Sequence, residues 1–146
     1  MAMAERSLLC WLATVGEDGQ PSVSPKEVFC VADDVHIVVA NIASPGSAHN
    51  IQTHPKVCLS FVDVFAQKGY KVYGLARNVR PQEAEFAQWA EPLLKMVGER
   101  FRIHSVFVVC ATAVEPIVAP SYRFYPHETT EASQTEAALR AYGVRR

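Results

Sequence analysis

Ser44, Ser47 and Lys26 are the residues of this chain whose types and spacing could hold an anion. Ser44 is a good helix N-cap, Pro45 suits the first helical position, and Pro55 forbids continuation, so the segment between them reads as a helix of about two to three turns. The start of such a helix carries unpaired N–H groups and the positive end of its dipole. An anion is therefore favoured near Ser44 and Ser47, with Lys26 as a counter-charge if the fold brings it close. Phosphate capture is the chemistry this suggests, although capping alone also accounts for both serines. Asn50, later on the same helix, offers an amide that can donate to and accept from a ligand, or simply bond a neighbouring loop.

Other chemistries find less support. His49 and His54 are five residues apart, not the three or four that place two ligands on one helical face, and no acidic residue adjoins them, so they read as solvent-facing and no metal site is expected. Cys10, Cys30, Cys58 and Cys110 each lie in an apolar run without a C-x-x-C pair, which reads as buried free thiols. There is no G-x-G-x-x-G, Walker loop, H-E-x-x-H or G-x-S-x-G, so nucleotide hydrolysis, zinc proteolysis and serine hydrolysis have no motif to rest on.

The elements that must position these groups are mostly strands. Residues 8–15 and 21–31 flank a glycine-containing turn and read as a hairpin. Residues 35–40 are apolar on both faces, as in a central strand. Residues 56–63 and 70–76 alternate as two further strands, with Gly74 marking a bulge or a close approach. Residues 104–114 form a sixth, bent near Glu115-Pro116. Residues 81–97 change to helical period, with Phe86, Ala90, Leu93, Leu94 and Val97 on one stripe. A tail follows Ser121, ending in a helix from Glu131 to Tyr142 stopped by Gly143 and docked on the barrel or on a neighbour. Short antiparallel strands with edge helices give a mostly β fold with some α, a closed or nearly closed barrel. By strand alternation Val23, Pro25, Phe29 and Val31 share one face, which leaves Lys26 on the other as a surface lysine. Glu27 falls on the apolar parity, which either a bulge at Pro25 or a polar cavity would explain. Trp11 and Trp89 read as core or interface residues, and Tyr70 and Tyr73 lie on opposite faces of their strand.

With 146 residues, 49% of them hydrophobic, one domain is expected. Fourteen basic and 15 acidic residues scattered along the chain give a net charge of −1, which disfavours nucleic-acid and membrane partners. No apolar run reaches the roughly 20 residues of a membrane span, and the first residues lack the layout of a secretory signal, so a cytoplasmic setting is expected.

Four segments together resemble a known family: Pro21-Ser-Val-Ser-Pro-Lys-Glu-Val28, Asn41-Ile-Ala-Ser44, Asn50-Ile-x-x-x-Pro-Lys-Val57 and Gln67-Lys-Gly-Tyr-Lys71. They resemble the pyridoxamine 5'-phosphate oxidase-like FMN-binding split barrels over about residues 8–118, with residues 119–146 as a tail like that of a small branch. The resemblance implies a six-stranded antiparallel split barrel, an obligate homodimer, and FMN sites at the dimer interface. It implies that the strand holding Lys26, Glu27 and Val28 runs beside the flavin ring, that Asn41, Ile42 and Ser44 lie near ring and ribityl chain, and that Ser47 and Asn50 face the phosphate. It implies flavin-mediated hydride or electron transfer, with no side chain named as catalytic. The alternative is the same barrel as a non-catalytic module that holds flavin, haem or a deazaflavin, or as an empty interaction scaffold. Ser47 stands where the family often has a lysine or arginine, which leaves Lys26, or Lys68 and Arg77 from either chain, to supply charge, with Tyr70 also within the site. The arginine- and histidine-bearing substrate motif of the vitamin-processing oxidases is not found, so their reaction is not carried over.

Overall fold

The architecture is that of a computed structural model, which describes residue 4 and residues 6–145. Seven strands form one antiparallel sheet: β1 (Cys10–Val15), β2 (Pro21–Lys26), β3 (Phe29–Val31), β4 (His36–Asn41), β5 (Lys56–Asp63), β6 (Lys68–Val79) and β7 (Ser105–Val118). Helices with full bounds among the described residues are α1 (Pro45–Thr53), α2 (Phe86–Val97), α3 (Pro120–Phe124) and α4 (Glu131–Tyr142). The fold is thus mostly β with α, as the alternating runs predict.

The strand order β2-β1-β5-β6-β7-β4-β3 puts β2 and β3 at opposite edges of the sheet. Only Glu27 and Val28 separate them in sequence, so the sheet has to curl until its two edges meet at that bend. The segment read as one strand from 21 to 31 is therefore two, and the sheet has seven strands rather than six. Phe29 and Val31 resume the apolar parity beyond the bend; Glu27, which interrupts it, is exposed there, and Val28 carbonyl accepts the Ala40 N–H at 2.9 Å.

Two apolar clusters fill the two sides of the curl. Inside lie Leu12, Leu59, Phe61, Val39, Phe107 and Val109 with Ile51 of α1; outside, Val38, Val79, Val106 and Val108 pack against Ala90 and Leu93 of α2. α2 begins five residues later than its period suggests, because Pro81 to Glu85 form turns stabilised by Glu83 accepting from Arg80 N–H at 2.6 Å. β7 runs through Glu115-Pro116 without a break, and the irregularity falls instead between Tyr73 and Gly74 of β6. A Cβ on Gly74 would stand 2.6 Å from Cys110 carbonyl oxygen, and one on Gly69 only 1.8 Å from that of Phe61, so both glycines mark close backbone approach.

The parity of β2 is inverted relative to the sequence reading. Pro21, Val23 and Pro25 face outward, opposite Val15, Ala13 and Trp11 of β1, and Trp11 is 44% exposed, so it belongs to an apolar outer face and not to the core. Lys26 is 6% exposed and faces in. Of the cysteines, Cys10 is buried, Cys30 and Cys58 are half-buried, and Cys110 is exposed because it sits where β7 leaves the core. α4 matches its expected bounds, capped by a reciprocal Thr130/Ser133 box and ended by Gly143 at φ +66°. It docks on the β5–β6 turn, where Glu131 pairs with Lys68 at 3.2 Å and Tyr142 meets Phe65 edge-on. Among the described residues no helix is long and apolar enough to cross a membrane.

Candidate functional site

α1 lies along the inward face of β1 and β2, and the two surfaces meet through polar groups. Lys26 Nζ donates to Ser44 Oγ, Ser24 Oγ lies 3.4 Å from Ser47 Oγ, and Asn50 Nδ2 donates to the buried Thr14 Oγ1 at 3.0 Å. At the helix start, Ser44 N–H donates to Asn41 Oδ1 at 2.9 Å, and Asn41 Nδ2 donates to Ser105 Oγ at 2.8 Å. Asn41 and Ser105 are both buried, so this amide is fixed in orientation from two sides. Lys26, Asn41, Ser44 and Ser47 are thereby brought together as the sequence suggests, with Asn50 one turn further along.

Ser44 occupies the N-cap position, yet its side chain makes no capping bond; the hydroxyl is taken by Lys26. Pro45 has no N–H, and the N–H groups of Gly46 and Ser47 have no intrahelical acceptor by helix geometry. No acidic residue lies in the first turn. The space beside Gly46 is open: a Cβ there would meet nothing within 4 Å.

Lys26 is the other positive group, and it is unusual in its burial. No ion pair reaches it among the described residues, and its recorded neighbours are the Ser44 hydroxyl and the Phe107 ring, 5.9 Å from Nζ to centroid. Burial lowers its pKa below 10.5, partly opposed by Cys10. A buried cation without a carboxylate costs free energy unless something else pairs with it. Strand alternation does not reveal this burial, because β2 turns its polar face to a polar helix face, an arrangement set by α1 and invisible within the strand. Cys10, its cross-strand partner, is held as a neutral thiol with its pKa pushed up to about 12 by burial, so it is no nucleophile.

The remaining predicted residues lie elsewhere or are otherwise engaged. Glu27 is exposed at the bend, and Val28 and Ile42 pack on the outer cluster. Lys68 is tied to Glu131 and stacks over Tyr122 at 4.3 Å, and Arg77 pairs with Glu85. Tyr70 lines a cavity of about 570 Å³ at the barrel mouth with Phe61, Val72, Ile37 and Val114, and none of Lys26, Asn41, Ser44, Ser47 and Asn50 borders it. His49, expected to lack an acidic partner, has Glu17 at 3.1 Å, supplied by the β1–β2 turn. Ser24, Thr14 and Ser105 were missed, since a serine or threonine in a strand carries no signal until its cross-element partner is known. Among the described residues no group of three or more His, Cys, Asp or Glu could hold a metal.

Comparison with known proteins gives the lineage. A family model described as pyridoxamine 5'-phosphate oxidase matches residues 1–134. A solved structure of HupZ from Group A Streptococcus is similar with a TM-score of 0.69 at 21% identity, covering 81% of this chain and 93% of that one. An FMN-binding protein from Syntrophomonas wolfei subsp. wolfei gives 0.66 at 16%, covering 78% and 80%. HutZ, described as the heme storage protein of Vibrio cholerae, gives 0.64 at 19%, covering 80% and 89%. At these identities the likeness is one of fold. No curated protein matches the sequence. With a profile match that takes in most of the chain and a barrel shared with these structures, the protein belongs to the pyridoxamine 5'-phosphate oxidase family.

Proposed function

We propose that this chain is a single FMN-binding domain, working in the cytoplasm as a homodimeric oxidoreductase on a small molecule. The observation that carries the reading is Lys26: a buried amine with no carboxylate, set against the acid-free start of α1. A phosphate monoester is acceptor-only and dianionic, so it fits a site made of an ammonium, two free N–H groups and the Ser44 and Ser47 hydroxyls. These groups would bind the phosphate, and Asn41, held by Ser105, would present a fixed amide to the flavin side. Lys68 and Tyr70 would serve the site of the partner copy. Bound flavin supplies hydride or electron transfer, and the protein supplies position and charge.

The apolar outer face of β1 and β2 supports the second copy, since six apolar residues form three cross-strand pairs there, with Trp11, Pro21, Val23 and Pro25 exposed and Ala13 and Val15 half-buried. A second reading, a holder of flavin, deazaflavin or haem without turnover, is favoured by the chemistry of the cluster. Among the described residues, the side chains that bond within it are amine, hydroxyl and amide groups.

The test is the absorption spectrum of the purified protein, with mass identification of any released ligand and titration of FMN into the remainder. A flavin spectrum or saturable FMN binding supports the reading. A colourless protein that ignores FMN overturns it. Reduction by NADH or NADPH and reoxidation by an acceptor then separate an enzyme from a holder.

A further inference from the structure

The cavity at the barrel mouth is left unused by the phosphate cluster, none of whose residues borders it. Its walls follow from the sheet register. Phe61 of β5 stands opposite Tyr70 of β6, and Val72 of β6 stands opposite Val114 of β7. Tyr70 and Val72 share one face of β6, which brings both pairs to the same space. Val35 and Ile37, around the start of β4, form a further wall, tied to β7 where the Ala111 N–H donates to the Val35 carbonyl at 2.8 Å. Tyr70, Val35 and Val114 are 43%, 48% and 58% exposed, so a ligand can enter past them. A space of about 570 Å³ with apolar and aromatic walls is of the size and character that holds small organic molecules.

The polar groups at the rim set the charge of that molecule. Asp33 is engaged in its own turn: Oδ1 accepts the Val35 and His36 N–H groups at 2.9 and 2.8 Å, and Oδ2 lies 2.8 Å from His36 Nδ1. His36 is engaged as well, with its ring 5.1 Å from that of Trp89 in α2. Asp34, exposed beside them, lines the cavity and has no hydrogen-bond or ionic partner among the described residues. No lysine or arginine of those residues lines it. A carboxylate at the mouth disfavours an anion such as a flavin phosphate and favours a cation. We infer that this cavity is a binding site separate from the phosphate cluster, and that it takes a small molecule with an aromatic or apolar body and an ammonium end directed to Asp34. Such a molecule would bind whether or not FMN occupies the start of α1.

The experiment titrates phenethylamine, phenethyl alcohol and phenylacetate, probes of similar size and different charge, into the purified protein by calorimetry, with and without saturating FMN. The expected result is that the amine binds, the alcohol binds more weakly by about two- to fivefold, the carboxylate binds more weakly still, and FMN changes none of these affinities. Asp34→Asn should bring the amine down to the level of the alcohol and leave the alcohol unchanged. Val114→Trp should fill the mouth and weaken amine and alcohol by about tenfold or more. Both positions are exposed, so melting temperatures close to wild type are expected. Should Val114→Trp fail to fold, Val35→Trp is read by the same criterion. A wild type that ignores the amine, or binds it no tighter than the alcohol, overturns the inference. Amine preference kept in Asp34→Asn, or full affinity kept in a folded Trp variant, also overturns it. Displacement of the amine by FMN does the same, because the cavity would then belong to the flavin site. A protein that binds the amine and ignores FMN loses the flavin reading and keeps this one.

Discussion

Lys26 is buried with no carboxylate to meet it among the described residues, and two consequences of opposite sign follow. Because burial lowers its pKa in the folded state, the unfolded chain binds more protons between that lowered value and 10.5, so apoprotein stability should rise with pH across this window. FMN affinity should fall over the same window, since the phosphate requires the ammonium form. Denaturant midpoints and FMN titrations at stepped pH check both signs. Lys26→Met should weaken FMN binding by about 10- to 100-fold while leaving the melting temperature of the apoprotein unchanged or higher. An apoprotein that melts lower would show that the amine is a structural group. That Ser44 and Ser47 open a short helix was legible from sequence because capping and proline placement are local signals. Burial of Lys26 was not, since it depends on what α1 presents across the interface.

At the level of elements, the seam between α1 and the β1–β2 hairpin decides how firmly the helix start is aimed. Asn50→Ala removes the donor to Thr14 and leaves that hydroxyl buried, which should cost about 1 to 3 kcal/mol by urea unfolding and raise amide exchange in α1. Gly69→Ala forces a Cβ onto the Phe61 carbonyl and should destabilise by about 3 kcal/mol, read from the same unfolding midpoint. Strict alternation in residues 56–63 and the cap signals of α4 gave bounds that the structure reproduces. The bend at Glu27-Val28 left one mark, Glu27 on the apolar parity, but apolar residues resume beyond it, and a change of pairing partner cannot be told from a bulge by periodicity. The late start of α2 has a different cause: the charged stretch after Pro81 shares helical spacing but is held in turns by its own side chains.

For the whole molecule, barrel closure depends on β2. Under the proposed homodimer, its outer face with that of β1 would offer Trp11, Ala13, Val15, Pro21, Val23 and Pro25 to the second copy, so Trp11→Glu should shift the protein from dimer to monomer in sedimentation velocity and weaken FMN binding with it. A variant that stays dimeric and binds FMN normally would place the interface elsewhere. β2 also ends the sheet, and the N–H groups of residues at one parity of a strand all point to one side. Pro21 and Pro25 share that parity, and the β1 ladder forms across all six positions, so the side without N–H groups faces away from β1. Only Val23 has an outward donor left, which denies a passing chain the row of bonds it would need to add a strand. The two prolines thus guard a crowded solution against fibrous growth from this edge, and Pro25→Val should speed thioflavin-positive aggregation of partly unfolded protein even where native stability is unchanged.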